Sequence, residues 1–138
     1  MRNRNAQLVS AAKTALAHAH APYSRFPVGA AILTRSGAVY TGCNVESSSY
    51  GLTICAERTA IFKAISEGER EFEAIAIIAQ TAERTPPCGA CRQVLMDLAG
   101  NIDVILAGGR AQPTVLKLNE LLPRAFGNKN LVKAKRRS

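Results

Sequence analysis

Apolar positions along the chain switch between a helical and an extended rhythm, and each switch marks an element. Leu8, Ala12, Ala15, Leu16 and Ala19 recur at helical spacing from about residue 6, and Ala21-Pro22 is expected to end that helix. Residues 28–33 and 38–43 are extended runs joined by a glycine-bearing turn at 34–37, which predicts a hairpin. Gly29, Ala30 and Ala31 leave room for a helix to lie close on the sheet, and residues 44–51 form a polar, turn-rich loop. A helix opens at Cys55, buries Ala60, Ile61, Ala64 and Ile65, and runs to Glu67 before Gly68 stops it. Residues 73–79 are apolar on both alternating faces, so that strand is covered above and below. A helix over 89–98 with Val94, Leu95 and Leu98 inward, strands at 102–106 and 114–118, and one capped turn at 119–123 complete the order. That order predicts an α/β fold, a three-layer α/β/α sandwich around a mixed sheet of about five strands.

At 138 residues and 47% apolar content the chain reads as one domain with a sizeable core. Its first twenty residues carry no unbroken apolar stretch, so a soluble, cytoplasmic protein is expected. The net charge of +8 lies at the ends: Arg2 and Arg4 contribute two charges, and Arg124, Lys129, Lys133, Lys135, Arg136 and Arg137 contribute six. The intervening body is neutral. That argues against a nucleic-acid channel, and residues 127–138 read as a basic, solvated, flexible tail.

Candidate chemistry lies in two separated clusters, Cys55-Ala56-Glu57-Arg58 and Pro87-Cys88-Gly89-Ala90-Cys91-Arg92-Gln93. A catalytic zinc takes three protein ligands and keeps its fourth tetrahedral position for water, and Cys55, Cys88 and Cys91 supply that count. Without a secretion signal a Cys-x-x-Cys is read as a metal site in preference to disulfides. Both clusters open helices, whose free amides and dipoles favour the thiolate. Glu57, two residues from a ligand, is the expected general base. Three thiolates leave zinc with a net negative charge, which Arg58 and the helix dipoles are expected to offset, with Arg92 and Gln93 as further partners of the sulfurs. Cys43 is read as a reduced cysteine buried in a strand; as a fourth ligand it would make the site closed and structural. His18 and His20, two apart on the first helix, diverge and form no metal pair.

Residues 22–126 resemble the small homotetrameric cytidine deaminases through five motifs in order. These are Pro22-Tyr23-Ser24-Arg25-Phe26-Pro27-Val28-Gly29-Ala30-Ala31, Gly42-Cys43-Asn44-Val45-Glu46, the two cysteine clusters, and Glu120-Leu121-Leu122-Pro123 with Phe126. The resemblance implies a deaminase domain over residues 1–126 that holds one zinc per subunit and hydrolyses cytidine and deoxycytidine to uridine and deoxyuridine in pyrimidine salvage. Glu57 would shuttle the protons. It further implies that Asn44 and Glu46 hold the ribose, that Phe26 packs on the pyrimidine, and that the Ala56 backbone meets the base. Ser48, Tyr50 and Phe126 match positions that neighbouring subunits supply. Relatives commonly follow the glutamate with Asn and Ala, whereas Ser47, Ser48 and Ser49 stand here. Two other classes share some of these features: a zinc aminohydrolase for another cytosine-containing substrate, and a non-catalytic zinc module binding RNA through the tail. The second has no use for Glu57.

Overall fold

In the computed structural model, which describes residues 2–81, 84–108 and 111–131, the central strands alternate between two apolar layers. β1 (Val28–Thr34) sends Ala30 and Ile32 to one layer and Ala31 to the other, and β3 (Phe72–Ala79) divides Ile75 and Ile77 from Ala74 and Ala76 in the same way. The alanine-lined face receives α1 (Arg2–Leu16) through Leu8 and Ala12. The isoleucine-lined face receives α2 (Ala56–Ser66) and α3 (Gly89–Ala99), which bury Ala60, Ile61, Ala64 and Leu95 there. Period-two alternation thus gives one face of the sheet to α1 and the other to α2 and α3.

With β2 (Val39–Cys43), β4 (Asp103–Gly108) and β5 (Ala111–Lys117), the five-stranded sheet runs in the order β2-β1-β3-β4-β5. Only β3 and β4 are parallel, and α3 is the crossover such a pair requires. The result is the expected mixed sheet between helical layers. Close approach depends on two glycines. A Cβ on Gly29 would lie 2.0 Å from the Ala12 carbonyl oxygen in α1, and one on Gly42 would lie 2.5 Å from the Ala56 carbonyl oxygen and the Ala60 nitrogen in α2.

Four local expectations need correction. α1 ends at Leu16, its last turn tightened by bonds from His18 N to Ala15 O and Ala19 N to Leu16 O. His18 and His20 therefore lie beyond the helix, where the His20 amide donates to Asn44 O and its carbonyl accepts from Glu46 N. Leu98 is exposed on the outer side of α3. Leu118 leaves the strand pattern to open a short helix, α4 (Leu118–Leu121), and is fully buried. The Glu120 carboxylate accepts from Lys117 N at 3.2 Å and fixes this switch. Of the basic tail, residues 128–131 form one helical turn and 132–138 lie outside the described residues. No described helix is long and apolar enough to cross a membrane.

Candidate active site

Side-by-side packing of α2 and α3 brings their N-termini together, and a cysteine stands at each. Cys55 and Cys88 are the N-cap residues, with extended backbone (φ −72°, ψ 157° and φ −67°, ψ 166°), and neither thiol is used in capping. Cys91 follows in the first turn of α3 and is buried. The three sulfurs lie within 4.8 Å of one another, the only such group of metal-ligating side chains among the described residues. Cys55 Sγ and Cys88 Sγ are 3.7 Å apart. Two thiolates at about 2.3 Å from a tetrahedral zinc are separated by about 3.8 Å, so the donor set fits the ion in spacing and chemistry. Cys43 is a half-buried free thiol outside the group, so three cysteines and not four would hold the ion.

Charge is unevenly shared in this cluster. The Cys55 thiol is brought down to about 5, chiefly by hydrogen bonding with Cys91, with Arg58 and Cys88 contributing. The same Cys55–Cys91 contact, followed by burial, pushes Cys91 far up. Arg58 Nη2 donates to Cys55 Sγ at 3.4 Å and supplies the positive charge beside the sulfurs. Its Nε is buried with no hydrogen-bond partner among the described residues. Glu57 is only 5% exposed, and burial raises its carboxyl above the ordinary range, with the Cys55 charge adding to the effect.

Arg92 and Gln93, expected beside the sulfurs, turn elsewhere. Arg92 Nε donates to Pro87 O at 2.8 Å and Nη1 to Leu121 O at 2.9 Å, tying the approach to Cys88 onto α4. Gln93 Nε2 donates to Phe126 O at 2.9 Å. The cause is helical phase, since each residue past Cys91 rotates by about 100°.

A cavity of about 460 Å³ opens over the cluster and brings together Phe26, Asn44, Glu46, Ala56 and Glu57 with Cys55 and Cys88. Ser24, Val28, Thr53, Ile77, Thr85 and Pro86 complete its wall. Sequence reasoning did not single these six out, although Thr53 lies two residues before Cys55, and Thr85 and Pro86 directly precede Pro87-Cys88. Asn44 is buried and clamps the neighbouring chain: its Oδ1 accepts from Val28 N and its Nδ2 donates to Phe26 O, both at 2.9 Å. Glu46 Oε1 accepts from Tyr23 N and Ser24 N at 3.0 Å, and Oε2 accepts from the Ser24 hydroxyl. These donors, Ser24 foremost, hold the Glu46 carboxyl below its usual range.

Ser48, Tyr50 and Phe126 stay outside this cavity. A bridge between Val45 and Ile54 closes the loop that carries Ser48 and Tyr50. Tyr50 is 74% exposed and stacks edge-on against Tyr23 at 6.0 Å between ring centroids. Phe126 is exposed beside a separate groove of about 660 Å³ near the end of α3.

Comparisons agree with this geometry. The model of the cytidine and deoxycytidylate deaminase zinc-binding region matches residues 2–107. A cytidine deaminase of Sporosarcina psychrophila is 45% identical over 91% of this chain and 93% of its own length. One of Halalkalibacterium halodurans is 50% identical over 86% of this chain and 91% of its own. The crystal structure of a cytidine deaminase from Burkholderia pseudomallei superposes with a TM-score of 0.85 at 48% identity, covering 88% of this chain and 98% of that one. With its three-cysteine zinc site at paired helix N-termini and a glutamate beside it, the chain belongs to the cytidine deaminase family.

Proposed function

We propose that this chain hydrolyses cytidine, and deoxycytidine with it, to uridine or deoxyuridine and ammonia. The observation that carries the proposal is Glu57, buried at the floor of the cavity two residues from a zinc ligand, in a chain of this family. Cys55, Cys88 and Cys91 would hold a zinc ion, which when bound would supply an acidified water as the nucleophile. Glu57 would take one proton from the attacking water and pass it to N3 as the C4–O bond forms, then take the second from the new C4 hydroxyl and deliver it to the amine as the C4–N bond breaks. Burial raises this carboxyl above the ordinary carboxylate range, which makes it a stronger base toward water than an exposed glutamate. Water and the cytosine amine thereby exchange, with atoms and charge balanced.

Sugar recognition is assigned to Asn44 and Glu46. With the bonds described above, Asn44 retains one N–H and Glu46 Oε2 one acceptor position, the complement of a hydroxyl that both donates and accepts. Phe26, 38% exposed at the cavity rim, offers an apolar face to the base, and the backbone at Ala56 a polar contact. The exposure of Tyr50 and Phe126 supports a homotetramer in which neighbours complete the pocket with Ser48, Tyr50 and Phe126. Three thiolate ligands suit a reducing compartment, which supports a cytoplasmic place in pyrimidine salvage. The test is incubation of zinc-loaded protein with separate free nucleosides while the cytosine absorbance is followed. Loss with cytidine and deoxycytidine, and none with adenosine or guanosine, is expected; no loss with cytidine overturns the proposal.

A further inference from the structure

The segment from Ala21 to Val28 is held to the segment from Asn44 to Glu46 by side chains that also face the cavity. Ser24 occupies the centre of this arrangement. Its hydroxyl donates to Glu46 Oε2 while accepting from Phe26 N at 3.1 Å, and its own amide donates to Glu46 Oε1 at 3.0 Å. Arg25, between Ser24 and Phe26, has a φ of 56°, in the left-handed region that a non-glycine residue seldom adopts. Just before that bend the Arg25 amide donates to Ala21 O at 3.0 Å, and the turn so closed presents the Ser24 hydroxyl and the Tyr23 and Ser24 amides to one carboxylate. One oxygen atom therefore bonds both the carboxylate and the backbone of Phe26, the aromatic wall that lies two residues before β1.

We propose that Ser24 is a positioning residue for sugar recognition, fixing which edge of the Glu46 carboxylate is left for a substrate hydroxyl. This rests on the reading of Glu46 as a sugar contact. Without the hydroxyl, Glu46 keeps its two amide donors on Oε1, but Oε2 is free to rotate or to take up water. The remaining acceptor edge then no longer stays aligned with the Asn44 amide. The effect falls on binding of the sugar and leaves Glu57 and the zinc ligands untouched.

Ser24→Ala, Ser24→Thr and Glu46→Gln are to be assayed with cytidine and with 2′,3′-dideoxycytidine, which offers neither ring hydroxyl. Wild type is expected to favour cytidine in kcat/KM. Ser24→Ala should shrink that preference about three- to ten-fold, the scale of one partly exposed charge-assisted hydrogen bond. The loss should appear as a higher KM for cytidine with kcat little changed, and Ser24→Thr, which keeps the hydroxyl, should restore the preference. If Ser24→Ala leaves the preference unchanged, or raises KM equally for both compounds, the inference about Ser24 is overturned. If Glu46→Gln also leaves the preference at its wild-type value, the sugar-contact reading of Glu46 fails and takes the inference with it. A preference lost in Glu46→Gln but kept in Ser24→Ala removes only the role of Ser24.

Discussion

Arg58 Nη2 donates to Cys55 Sγ at 3.4 Å, although the two residues lie three apart at the opening of α2. Spacing of three places both on one side of the helix, so the residue after Glu57 reaches back to the cysteine two residues before it. Three thiolates would otherwise leave zinc with one net negative charge and a weak pull on its water. Arg58→Gln is expected to keep zinc at one equivalent and lower kcat by about ten-fold or more, on the scale of a lost charge-assisted hydrogen bond. Metal analysis beside steady-state kinetics checks this, and unchanged kcat would remove Arg58 from the account.

Helix-to-sheet distance is set by absent side chains. Gly29→Ala puts a methyl 2.0 Å from the Ala12 carbonyl oxygen, a backbone atom that cannot swing aside. The variant is expected to lose about 2–3 kcal/mol of stability through overpacking against α1. Denaturant titration measures it. A midpoint equal to wild type would mean that α1 floats on the sheet.

Asp103 ties three elements together, accepting from Lys117 Nζ at 2.8 Å and from Arg4 Nη2 at 2.9 Å. Lys117 first, then Arg4, holds its carboxyl below the ordinary value. A folded pKa lowered in this way contributes stability above the unfolded value of about 3.9 and loses it as pH falls through the folded value. Asp103→Asn is expected to unfold more easily than wild type at pH 7, by about 0.5–1 kcal/mol, with the two converging as pH falls below the unfolded value and through the folded one. Urea midpoints across that range test the sign, and a gap that persists at low pH contradicts it.

The assembly and the tail make separate demands. Sedimentation is expected to give a tetramer of the 14.7 kDa chain. Removing residues 130–138 is expected to leave turnover within about two-fold, as for a solvated terminus. A stable, fully active monomer would contradict the shared pocket, and a large loss on truncation would place the tail in it.

Much of this was legible in the sequence because periodicity and ligand spacing are local. The switch from Ile61-type helical spacing to Ile75-type alternation located α2 and β3 to within a residue or two. The two cysteine clusters at helix starts defined the metal site. Less legible were features decided by long-range packing. Leu118 continues an alternating run yet turns into α4, since the Glu120 cap and a buried seat outweigh strand propensity. His20 was drawn off α1 by pairing with a segment two dozen residues away. Arg92 lies beside a ligand in sequence, yet its guanidinium bonds the Pro87 and Leu121 carbonyls. Gly42 carried a usable signal, a strand glycine bordering a motif, and its contact with α2 explains it. The bond from Ser24 to Glu46 has no spacing signature.

The most direct test replaces the Glu57 carboxylate by an amide of the same shape. Glu57→Gln should retain one zinc per chain and a wild-type fold while cytidine turnover falls by about three orders of magnitude or more, as for loss of a general acid–base. Zinc content and uridine formation are to be measured on the same preparation. Zinc retained with turnover lost is the predicted result. Turnover within about ten-fold of wild type, well inside that general acid–base scale, would contradict the claim that this buried carboxyl moves the protons.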